Sequence, residues 1–149
     1  MLFNFFKKHE KQNEVRQHLG GFQDEFSDNQ KKAVMCSLML IANSDGEFHR
    51  KEEMFFEQTA TMLGYRLSGD YIDDLLAMGK EKLFQLLKSL DESQKDWYII
   101  TAFGMLHADG QALEVEFQYM SAFFEQMGIS EQRFKNVLIK TELLMKDYM

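Results

Sequence analysis

Residues 31–46 read KKAVMCSLMLIANSDG, and their reading decides the fold. From Ala33 to Ala42 almost every position is apolar or small. A helix that is apolar on nearly every side belongs inside a fold. The pattern therefore predicts a buried central helix over 28–44, with Ser27 or Asp28 as its N-cap and an Asp45-Gly46 turn at its far end. After the turn, residues 50–63 form an amphipathic helix that begins with Glu52 and Glu53 and stops at Gly64, a natural left-handed end residue.

Residues 95–110, KDWYIITAFGMLHADG, lie over 31–46 at an offset of 64. At the same offset Asp109 follows Asp45, Gly110 follows Gly46, Glu116 follows Glu52 and Gly128 follows Gly64. Each unit (near 28–64 and 92–128) is a buried helix, an Asp-Gly turn, an amphipathic helix with an acidic start and a glycine stop. The second unit places helices over 92–108 and 114–127. Trp97, which aligns with Ala33, reads as a packing residue. Two copies of a helix–turn–helix unit pack by default with approximate two-fold symmetry.

The remaining sequence agrees with an all-α class. There is no proline, no sustained β alternation, and an abundance of strong helix formers. Further helices are expected over 3–19, from Ser68 to Met78, over 80–89 with Leu83, Phe84, Leu86 and Leu87 inward, and after a Ser130 cap with Phe134, Val137, Leu138, Leu144 and Met145 as the apolar set. Residues 1–26 read as an N-terminal basic and aromatic segment, and residues 27–149 as one helical domain.

A chain of 149 residues, 45% hydrophobic, builds a core without disulfides. Its single cysteine, Cys36, sits inside the apolar run and reads as a core thiol of a reduced compartment. The net charge of −7 disfavours nucleic acid. Against that trend, residues 1–20 carry Lys7, Lys8, Lys11 and Arg16 opposed only by Glu10 and Glu14, so the acidity belongs to the body of the chain. No apolar stretch reaches the ~18 residues that span a bilayer. MLFNFFKKHEK, residues 1–11, lacks the order of charges and the cleavage site of a signal peptide. The expectation is a cytoplasmic protein whose LFNFF segment folds onto the core. The alternative is a peripheral foot, with aromatics in the membrane interface and lysines on anionic headgroups.

The Asp-Gly-x5-Glu unit has two readings. Glu52 and Glu116 fall near the third position of a helix, where a carboxylate bonds free backbone N–H groups and stabilises by roughly 0.5–1 kcal/mol. That local role leaves Asp45 and Asp109 without a reason, because each sits at the negative end of a helix dipole. A calcium loop of the EF-hand type runs D-x-D-x-D-G-x5-E. Here Ile41 and Met105 fill its first position, so a complete loop is rejected; Asn43 and His107 fill the third. If the two turns meet, Asp45, Glu52, Asp109 and Glu116 together form one hard-cation site. Uncompensated, such a cluster repels itself; Arg50, Lys51 or water are alternative sources of compensation. His49 and His107 are not equivalent at the 64-residue offset and have no companion ligands. Calcium or magnesium on oxygen ligands is therefore preferred to zinc, with the histidines solvated or local. The 11 methionines read as core, with a partner groove as the alternative. There is no phosphate loop, no Ser/His/Asp order and no Cys/His pair, so no enzyme is expected.

ANSDGEFHRKEEMFFEQTATMLGY and LHADGQALEVEFQYMSAFFEQMGIS resemble the two halves of the tellurite-resistance TerB-like family, over roughly residues 28–147. The second copy departs from the pattern, with Gln111 for Glu47 and Phe117 for Glu53. The resemblance implies a compact bundle of about seven helices with pseudo-two-fold halves. It also implies a cytoplasmic stress-response role and a divalent-metal site at the acidic residues. Some wider members fuse the module to a J-domain, but without proline this sequence contains no His-Pro-Asp tripeptide. Action through a protein partner is the expected mode, with oligomeric state left open.

Overall fold

In the computed structural model, residues 25–108 and 113–148 are described, with side chains through Lys140. The expected 3–19 helix, the 1–11 foot, Asp109 and Gly110 lie outside the described residues, as do the side chains of Leu144 and Met145. Among the described residues there are seven helices and no strand. They are α1 (Asp28–Ala42), α2 (Arg50–Leu63), α3 (Tyr71–Leu76), α4 (Lys80–Lys88), α5 (Glu92–Leu106), α6 (Glu114–Gln126) and α7 (Glu131–Tyr148). The all-α bundle read from the sequence is the observed fold.

The two central helices start with the same device. Ser27 Oγ accepts the Gln30 N–H at 3.1 Å, and Gln30 Oε1 accepts the Ser27 N–H at 3.0 Å. In α5, Asp91 and Gln94 repeat this reciprocal pair at 2.8 Å in both directions. Each box satisfies donors that a helix start leaves open. The outer helices of each unit also stop alike. Gly64 (φ 72°) and Gly128 (φ 75°) take the left-handed conformation that a side chain disfavours. The N–H of Tyr65 then reaches Ala60 O, and that of Ile129 reaches Phe124 O, both at 2.8 Å.

α1 packs against α2, α3, α4, α5 and α6, while α5 packs against α1, α2, α6 and α7. Each central helix therefore touches both its own hairpin partner and that of the other unit. That exchange is what a pseudo-two-fold relation requires. Gln94 Nε2 donates to Gln30 Oε1 at 3.4 Å across exactly one repeat offset, 64 residues. Equivalent residues of a two-fold pair touch only near the axis, so the two capping boxes mark where it passes. Gln94 Nε2 also reaches Glu25 O at 2.6 Å, which fixes the entry of the chain into α1.

Met35, Leu38, Ile41, Ile99, Met105 and Leu106 are fully buried between these helices. Tyr98 and Ser37 satisfy each other among them: Tyr98 OH donates to Ser37 Oγ at 2.8 Å, and Ser37 Oγ donates to Val34 O at 2.8 Å. Cys36 behaves as the core thiol it was read to be. It is buried, its Sγ lies 3.4 Å from Leu75 O, and burial pushes its pKa up to about 11, far from thiolate chemistry at neutral pH. Trp97 packs edge-on against Phe26, with centroids 5.5 Å apart. Arg133 fastens α7 to the first turn of α5, bonding Glu92 Oε2, the Glu92 carbonyl at 2.8 Å and Asp96 Oδ1 at 3.0 Å.

Three helices differ from the expected bounds by more than one residue at an end. α1 ends at Ala42 rather than 44, because Ser44 N–H bonds Ile41 O and Gly46 N–H bonds Asn43 O in tighter i→i+3 turns. α5 ends at Leu106 rather than 108 for the same reason, with Ala108 N–H on Met105 O. The 68–78 segment is helical only over Tyr71–Leu76, and Ser68 does not cap it. Its hydroxyl donates instead to Asp74 Oδ2 at 2.9 Å, and Asp70 is the N-cap residue.

Candidate functional site

The first turn supplies a local partner for each oxygen of Asp45. Oδ1 accepts the Glu47 N–H at 3.0 Å, and Oδ2 lies 2.9 Å from His49 Nε2. Burial alone raises the Asp45 pKa, but the Glu47 N–H and the His49 ring outweigh it and hold the carboxyl below its ordinary value. His49 is also the N-cap residue of α2, so the pair ties the turn to the start of the next helix. This is the reason that helix-dipole reasoning did not find for Asp45. The signal was the Asp-x3-His spacing. In the second unit Leu113 occupies the place of His49 and has no such group.

Glu52 and Glu116 do reach back to their helix starts, as expected. Glu52 Oε1 accepts the His49 N–H at 3.4 Å, and Glu116 Oε1 accepts the Leu113 N–H at 3.2 Å. Capping at a solvated helix end needs no burial, yet Glu52 is 1% exposed and Glu116 0%. Carboxylates are almost never so deeply buried unless paired. Glu52 makes a further interaction beyond the capping bond. Glu116 Oε2 is buried with no hydrogen-bond partner among the described residues. A buried carboxylate oxygen of this kind favours a cation, a proton or a water at its open side.

Both histidines are local. His107 Nδ1 lies 3.0 Å from Phe103 O, one turn back, and its ring packs on Phe103 with centroids 4.3 Å apart. Among the described residues no group of three or more His, Cys, Asp and Glu side chains is arranged to hold a metal. Asp45, Glu52 and Glu116 are among these residues, whereas Asp109 lies outside them. Two tertiary contacts went unread in the sequence. The contact between Gln30 and Gln94 was foreshadowed by their shared third position after Ser27 and Asp91. The Arg133 clamp on Glu92 and Asp96 carried no sequence signal. Among the described residues no helix is long and apolar enough to cross a membrane.

Residues 2–68 match the family model described as Tellurite resistance protein TerB. Neither the curated proteins nor the solved structures give a match. The matched span begins ahead of the 28–147 expected from the two turns and ends before the second unit. It takes in α1, the Asp45 turn and α2. The resemblance to the tellurite-resistance TerB family is thereby shown over residues 2–68, the segment that carries Asp45 and Glu52.

Proposed function

We propose that this chain is a TerB-like, non-enzymatic module that holds a divalent cation between its two Asp-Gly-x5-Glu turns and acts through contacts with a protein partner in a cytoplasmic stress response. The observation that carries the reading is the pair of buried glutamates at repeat-equivalent positions, Glu52 and Glu116, one with an unpartnered oxygen among the described residues. All four candidate ligands, Asp45, Glu52, Asp109 and Glu116, offer hard oxygen. That donor set suits calcium or magnesium rather than zinc. A bound cation would neutralise the buried carboxylates and join the two turns. Asp45 takes part only by giving up His49, so cation affinity is expected to depend on that exchange.

A second reading has its own support. Because both oxygens of Asp45 have local partners, the first turn is complete without an ion. On that ground the chain is a metal-free helical scaffold. Calorimetric titration with calcium, magnesium, manganese and zinc, paired with melting of the wild type and Asp45→Asn/Asp109→Asn, separates the two. Cation binding with a rise in Tm that the double variant loses supports the site. No rise with any cation, in the wild type or in the double variant, leaves the scaffold.

A further inference from the structure

The outer faces of α2 and α6 differ in kind. At the 64-residue offset, Glu53 and Glu57 of α2 become Phe117 and Ser121 of α6. Where α2 presents acids, α6 borders a mostly apolar groove against the start of α7, with a volume of about 580 Å³. Its walls are Phe117, Met120, Phe124, Ile129 and Phe134. The Phe134 ring gathers Phe124 (centroids 5.4 Å apart) and Phe117 (6.4 Å), and Phe117 remains 42% exposed. Glu125 and Glu131 border it; Glu131 is paired with Lys135 at 3.3 Å, which leaves the rim with a net negative charge. A concavity of this size falls within the ~300–1,000 Å³ typical of occupied sites.

The chain itself supplies a fitting occupant. Leu2, Phe3, Phe5 and Phe6 are apolar, and Lys7 and Lys8 follow directly. The chain enters α1 at the first turn of α5, to which the start of α7 is also tied. The Glu25 carbonyl is held by Gln94 on the first turn of α5, and Arg133, next to Phe134, grips Glu92 and Asp96 on that same turn. The stretch between residues 6 and 25 spans up to ~60 Å if extended and roughly 28 Å if helical, so reach is not limiting. The TerB match runs unbroken from residue 2 to residue 68, which places LFNFF in one family unit with α1 and α2.

We propose that residues 2–6 dock in the groove between α6 and α7, with their rings against Phe117 and Phe134 and with Lys7 and Lys8 facing Glu125 and Glu131. This contact is independent of the cation reading. It gives the N-terminal aromatics a protein site in place of a membrane.

The test is disulfide trapping in the full chain. Asn4→Cys is combined either with Ser121→Cys, in the groove wall, or with Leu76→Cys, an exposed position on α3. Cys36 is buried and does not compete. Under mild oxidation the groove pair is expected to cross-link at least tenfold faster than the α3 pair. Adding Phe117→Lys, a change at an exposed position, is expected to remove that advantage while the helical circular dichroism is retained. Equal rates for the two pairs overturn the proposal. So does co-sedimentation of the full chain with anionic vesicles while the groove pair stays at the control rate, which would return LFNFF to the membrane.

Discussion

The first Asp-Gly turn and the second share a skeleton but are finished differently. In the first, Asp45 is latched to His49, and the following helix turns Glu53 and Glu57 outward. In the second, Leu113, Phe117 and Ser121 occupy those places. What stays constant is what the bundle needs: reciprocal capping boxes, a buried glutamate at the third helical position, and a left-handed glycine stop. What changes is the latch and the face turned to solvent. A duplicated unit thus holds its fold with one set of positions and has diverged through another.

The largest test of equivalence is in the core. Ile41 and Met105 are repeat partners and both 0% exposed. Truncating either to alanine is expected to cost about 2–5 kcal/mol by chemical denaturation. A cost below 1 kcal/mol for one and not the other would break the structural pairing of the halves. The capping boxes come next. Ser27→Ala and Asp91→Ala should each destabilise by about 1 kcal/mol. A double-mutant cycle on Gln30→Ala and Gln94→Ala should show non-additivity, because the two amides touch. Strict additivity would remove the contact near the axis.

The remaining test, of similar size, concerns the latch. Asp45→Asn and His49→Leu are each expected to cost about 1 kcal/mol near neutral pH. The Asp45 pKa is depressed in the folded chain from an ordinary 3.8. Its contribution is therefore present above that value and is lost as pH falls through the lower, folded pKa. Urea melts of Asp45→Asn and wild type should converge in that acid range. A gap that persists at the acid end would mean Asp45 does not act through its charge.

The elements that depend on local pattern were legible in the sequence. The apolar runs gave α1 and α5, Gly64 and Gly128 gave two helix stops, and Glu52 and Glu116 gave their capping bonds. Features that need the tertiary arrangement were not. The equivalence of Gln30 and Gln94 is visible at the 64-residue offset but their contact is not, and nothing in the acidic start of α5 announces Arg133. The degree of burial was also hidden, since a glutamate at the third helical position looks the same in sequence whether solvated or, like Glu116, fully enclosed. The two helix ends placed too far along reflect i→i+3 turns that a 3.6-residue periodicity does not resolve.

The enclosed glutamate is where the functional account is most exposed to test. The decisive measurement is the Tm of the wild type and of Glu116→Gln, each scanned at neutral pH with and without millimolar calcium or magnesium. The expected result is a cation-dependent rise in the wild type that is absent in Glu116→Gln, with the ion-free variant at least as stable as the ion-free wild type because a buried charge has been removed. A wild type whose Tm is unmoved by either cation would contradict the account.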